Sequence, residues 1–137
     1  MPNSRRILAR AYFYNRKYSE AFNQLETQIK SGKEDEAIFA RGEYAYYCAK
    51  LGRTAEAEKI YAGLKQGFEK DRSRASDLTL IAYALGKKAE AFGYFREMLK
   101  ASDKIPDSHL ALAYDPVWDE IKNDSIFARY FPDKTGN

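Results

Sequence analysis

The chain has 137 residues, enough for one domain and little more. Hydrophobic residues make up 45% and charged residues 31%, which excludes an intrinsically disordered chain. A single Cys and a single His exclude a disulfide framework and a zinc site built from several such ligands, and a net charge of +3 is too small by itself to signal nucleic acid. Gly and Pro are sparse. The stretches between them are rich in Ala, Leu, Glu, Lys, Arg and Tyr with apolar spacings of three and four, which predicts helix and no strand. Predicted helices run over 3–14, 18–31, 35–50, 54–69, 73–84 and 88–100. Gly32, Gly52 and Gly86 follow the second, third and fifth, where a left-handed residue ends a helix. Ser19, Thr54 and Ser73 suit N-cap or first-turn positions. Glu34, Asp35 and Glu36 open the third helix, where acids complement the dipole. Near residue 104 the pattern changes. Asp115 before Pro116 is an N-cap followed by a first-turn proline, and Asp124 suits the cap of another short helix. Trp118 and Ile121 share one helical face, as do Phe127 and Tyr130, so two short helices are expected to lay aromatics over the open end of the helical stack.

The breaks carry a repeat. Arg16-Lys17-Tyr18-Ser19-Glu20-Ala21 aligns with Gly52-Arg53-Thr54-Ala55-Glu56-Ala57 and with Gly86-Lys87-Lys88-Ala89-Glu90-Ala91. The closing alanines stand 36 and then 34 residues apart, and each precedes a large apolar residue by four: Leu25, Tyr61 and Phe95. In the helices before, Leu8-Ala9 with Tyr12, Tyr44-Ala45 with Cys48 and Leu78-Thr79 with Ala82 repeat a large, small and spaced third position. This spacing resembles a tetratricopeptide repeat, with about 34 residues per helix–turn–helix unit. No Trp opens a first helix as in that family; Arg5, Arg41 and Ala75 stand there. The resemblance implies an all-α, right-handed superhelical stack of about three units, 2–33, 36–69 and 72–103, plus a C-terminal cap over about 104–132. Asp115-Pro116 with Trp118-Asp119, then Asp124 and Phe127, is similar to the closing segment of bacterial tetratricopeptide-type regulators. It implies the C-terminal regulatory or sensory module of a longer transcriptional or signalling protein as an alternative reading.

No motif for catalysis stands out. The glycines form no phosphate-binding loop, and His109 has no local metal-binding or triad partner. Cys48 falls on a face expected to be buried, as a structural thiol. The expectation is a non-enzyme with no cofactor and no metal. No apolar run reaches the length of a membrane span, and no apolar stretch follows Arg5, Arg6 and Arg10, so a cytoplasmic protein is expected.

What remains is surface. In the family, the first helix of each pair lines a concave groove that holds a peptide. Carried across, that groove shows Arg6, Arg10, Phe13 and Tyr14, then Phe39, Tyr46 and Lys50, then Leu80 and Tyr83, with Gly42 leaving space on its floor. Aromatics and Arg dominate binding energy at interfaces, so an acidic or carboxylate-ended peptide with apolar anchors is the expected partner. The carboxylate clamp of chaperone-binding relatives is incomplete, since Glu43, Ser73 and Asp77 stand at its positions. Two weaker expectations stand beside this one. Residues 1–30 carry six Lys and Arg against two Asp and Glu, which leaves weak nucleic-acid binding as an alternative. An uncapped first face allows a homodimer.

Overall fold

Three turns reverse the chain in the same way. In the computed structural model, which describes residues 2–31, 33–68, 74–102 and 116–130, α1 (Pro2–Tyr14) ends at Arg16, α3 (Glu34–Lys50) at Gly52 and α5 (Ala75–Ala84) at Gly86. These three residues take the left-handed conformation, with φ of 62°, 80° and 79°. The amide of each donates three residues back, to the Phe13, Ala49 and Tyr83 carbonyls at 3.0, 3.3 and 3.0 Å. The next amide donates five back, to Tyr12, Cys48 and Ala82 at 2.8, 2.8 and 2.9 Å. This paired bonding satisfies the last carbonyls of each helix and turns the chain sharply. The returning helices are α2 (Tyr18–Ile29), α4 (Thr54–Phe68) and α6 (Lys88–Ser102).

The six helices follow the expected positions. Only their ends differ: α2 stops two residues early, α5 starts at Ala75, and α6 runs on to Ser102. Ser19 and Thr54 sit in first turns, and no side chain caps the start of α2. Gly32, Ser73, His109 and Asp115 lie outside the described residues. Among the described residues there is no strand, and no helix is long and apolar enough to cross a membrane.

Each helix packs on its chain neighbour, and α3 also lies against α1 and α5. The reason is in the small positions. Ala9, Ala45 and Thr79 in the first helices and Ala21, Ala57 and Ala91 in the second are all fully buried. Small side chains there let the backbones come close. Thr79 is tolerated because its hydroxyl donates to the Ala75 carbonyl at 2.7 Å, so no buried polar atom is stranded. Leu25, Tyr61 and Phe95, one turn beyond the alanines, fill the core beside them. Tyr61 also reaches the next pair, where its hydroxyl donates to Glu90 at 2.7 Å.

The C-terminal segment begins with a 3-10 turn, Pro116–Trp118, runs into α7 (Asp119–Lys122) and ends in another 3-10 turn, Ala128–Tyr130. The expected second short helix is a turn instead. Asp124 caps this turn as expected: its Oδ1 accepts the Ile126 amide at 3.0 Å, and its carbonyl accepts the Phe127 and Ala128 amides at 3.0 and 2.8 Å. Trp118, Phe127 and Tyr130 nevertheless pack on the Phe95 ring of α6, at centroid distances of 6.2, 5.3 and 5.9 Å. Burial of each large ring contributes about 1.5–3 kcal/mol, so this short segment is held by packing rather than by helix propensity.

Arg16 is the strained member of the three turns, since a side chain in the left-handed region costs about 1–2 kcal/mol. Arg16→Gly relieves that strain but loosens the unfolded chain, so a net gain of up to about 1 kcal/mol is expected from chemical denaturation. Gly86→Ala should do the reverse, with a loss of about 1 kcal/mol. Equal stability of all three proteins would contradict this account of the turns.

Candidate functional site

The expected groove residues fall on the face shared by α1, α3 and α5, but they do not form one open surface. Arg6 belongs to α1, with its side chain outside the described residues. Arg10 is committed within the fold. Its Nε donates to both Glu43 oxygens at 3.2 and 3.3 Å, and its Nη2 to Oε1 at 2.6 Å. Glu43 is only 4% exposed, so this is a nearly buried pair with fork-like geometry. Phe13 turns inward and stacks on Tyr47, with centroids 4.1 Å apart and planes 8° from parallel. Tyr47 is itself buried, and Phe22 meets it from α2 at 6.3 Å. Phe13 is therefore part of the core between the first two pairs. Tyr14, the next residue, points outward and is 51% exposed.

On α3, Phe39 carries the Arg74 guanidinium over its ring at 3.7 Å. Gly42 leaves no space on the floor, contrary to expectation. A methyl group added there would stand 2.9 Å from Asp77 Oδ2, because α5 brings Asp77 into the gap. Tyr46 sits at the centre of the face. Burial raises its phenol first, and then the nearby Tyr14, Glu120 and Glu43 hydroxyl and carboxylates add to the shift while Arg10 opposes it. The Tyr46 ring also packs against both hydrophobic clusters of the core, so it joins the first two pairs to the rest.

The third part of the expected groove is closed by the chain itself. Leu80 is 5% exposed. It lies with Tyr46, Tyr83 and Ala84 against Val117, Glu120 and Ile121, around a residual space of about 10 Å³, room for one water at most. Lys50 forms an ion pair with Glu120 across the same seam. The Tyr83 hydroxyl donates to Asp124 Oδ2 at 2.9 Å, and Lys88 Nζ meets the same oxygen at 2.8 Å. Burial and then this bond push the Tyr83 phenol up to about 12. Asp124 is held down at about 2, first by Lys88, then by the Ile126 amide and Tyr83. The segment is thus pinned by charge near its middle, at Glu120 and Asp124, and by rings on either side, Trp118 before them and Phe127 and Tyr130 after.

Cys48 is fully buried, and its thiol donates to Glu56 Oε2 at 3.4 Å. Burial first, then that bond, push it up to about 12, which leaves a neutral thiol and a poor nucleophile. Among the described residues, no three His, Cys, Asp and Glu side chains gather as a metal would need.

A second concavity was not expected from the chain. It lies between α3 and α4 and has a volume of about 650 Å³. Ile38, Ile60 and Leu64 supply apolar wall, Gly63 and Gly67 leave α4 bare, and Arg41, Lys59 and Arg74 stand around it. The two glycines are four residues apart, Gly63 inside α4 and Gly67 in its last turn, and that spacing was the available signal. No family model matches this chain, and no curated protein or solved structure shows significant similarity to it.

Two outcomes follow from this geometry. Arg10→Ala takes the cation from a buried carboxylate and should cost about 2–4 kcal/mol in chemical denaturation, less than a wholly buried pair because Arg10 reaches solvent. Arg10→Met with Glu43→Leu removes both charges and should recover most of that loss; a double variant as unstable as the single one would reject the explanation. At Asp124 the folded value lies below the ordinary carboxyl range near about 3.9, so its bonds stabilise in full above that range and are lost as pH falls toward about 2. Trp118 is the one tryptophan and lies buried in this segment, so its emission reports the seam. Asp124→Asn should red-shift that emission at neutral pH, and the difference from wild type should close between about pH 4 and pH 2.

Proposed function

We propose that this chain is a non-catalytic interaction scaffold of the tetratricopeptide kind, and that it binds a peptide or partner protein on the face formed by α1 and α3. Support for the repeat comes from the three turns of one geometry and from the six buried small residues at matching positions. Support for binding comes from one observation above the others. The face already holds an acidic and apolar segment, because Glu120 pairs with Lys50 while Val117 and Ile121 pack beside Tyr46 and Leu80. A partner of the same chemistry, an acidic residue flanked by apolar anchors, extends that mode of contact toward Tyr14.

Tyr14 is the natural anchor point. It is the most exposed aromatic ring on the face, rigid and amphipathic, and such rings carry much of the energy at protein interfaces. The closing segment also suits a module that ends a longer bacterial regulator, since it seals the third helix pair without consuming the first. In that setting the same face receives its ligand, and the partner chemistry is unchanged.

Arg10 is a poor probe of this reading, since its loss disturbs the fold. Tyr14→Ala touches little of the core. Against a library of acidic peptides bearing apolar residues, the variant should bind selected peptides about tenfold more weakly or worse, at unchanged stability. Selected peptides that bind Tyr14→Ala as tightly as wild type would remove the α1 face from consideration.

A further inference from the structure

The concavity between α3 and α4 lies apart from the proposed peptide face, and its chemistry is different. Glycine in a helix interior weakens the helix, and α4 carries one there, Gly63, with Gly67 one turn on in the last turn, both on the wall of this space. A side-chain carbon added at Gly63 or Gly67 meets nothing within 4 Å, so neither glycine is required by close packing. Their effect is to keep a volume of about 650 Å³ open, within the range of small-molecule sites.

The charges around the space do not balance. Glu34 pairs with Arg41 at 3.4 Å. Glu56, also on the wall, pairs with Arg53 at 2.9 Å and accepts from the Cys48 thiol. Arg74 lies 3.7 Å from Asp77 and stacks on Phe39. Lys59 alone among the three cations has no ion pair or hydrogen bond with the described residues. Among the described residues, the wall thus combines an apolar surface from Ile38, Ile60 and Leu64 with one ammonium, that of Lys59, which no ion pair engages.

We infer that this space is a binding site for a small amphipathic monocarboxylate, with the apolar chain against Ile38, Ile60 and Leu64 and the carboxylate at Lys59. A single negative charge matches the single unpaired cation. An apolar chain replaces water on the aliphatic wall, and a charged head meets the ammonium in a charge-assisted bond.

Decanoate is the probe, titrated up to about 1 mM and followed by Ile and Leu methyl NMR, with decanol as the uncharged analogue. Decanoate should shift the Ile38, Ile60 and Leu64 methyls saturably, and decanol should bind about tenfold more weakly or not at all. Lys59→Glu, an exposed change, should weaken decanoate by about tenfold or more. Gly63→Leu fills the space and raises helix propensity, so it should abolish binding while the melting temperature holds or rises. Tyr14→Ala should bind decanoate as wild type does, which separates this site from the peptide face. Absence of saturable shifts, equal binding of decanoate and decanol, or undiminished binding by Lys59→Glu or Gly63→Leu would each overturn the assignment.

Discussion

Close approach of paired helices at six small residues is the constraint on which the rest of this structure depends. Ala9, Ala21, Ala45, Ala57, Thr79 and Ala91 are fully buried. None of the helices could bury its apolar side alone, and most of the stability of helices this short comes from packing on a neighbour. Stability is therefore shared between pairs, through residues such as Tyr46 and Tyr61 that belong to one pair and pack or bond to the next. A larger side chain at any of the six positions would push a pair apart and disturb contacts made by its neighbours.

The same arrangement decides where polar groups can sit. Arg10 and Glu43 come from different pairs, so their nearly buried ion pair forms only when α1 lies on α3. Such pairs add little net stability but penalise any packing in which one partner is missing. Asp124 acts likewise at the other end. It accepts from Tyr83 and the Ile126 amide and meets Lys88, so three separate elements must be in place around one carboxylate. Rings supply the attraction at the C-terminal seam, and these charges set its register.

Function, on this reading, lives on the surfaces that such packing leaves exposed. The basic groups that would draw an acidic ligand to the α1, α3 and α5 face are largely engaged: Arg10 by Glu43, Lys50 by Glu120. Exposed capacity moves to Tyr14 on one side of the molecule and to Lys59 on the other. The two sites call for different ligands because one presents a rigid ring beside a seam already holding an acidic segment, and the other a pocket with an aliphatic wall.

Six helices, their turns and the buried small–large positions were legible in the sequence, because they are local. Helix propensity, apolar spacing and a left-handed terminal residue act over a few residues, and the 36- and 34-residue spacings repeat them. Even Arg16 could be placed in the left-handed turn by its alignment with Gly52 and Gly86. The fate of Phe13, Gly42 and Leu80 was not legible. Each depends on what a distant element brings: Tyr47 beneath Phe13, Asp77 into the gap at Gly42, Val117 and Ile121 over Leu80. Nor did the chain disclose that Arg10 is spent on Glu43, or that Gly63 and Gly67 face a space with an aliphatic wall and charged groups of both signs around it. Local pattern determines which residues face a neighbour. Only the packed neighbour decides whether that face is filled, paired or left open.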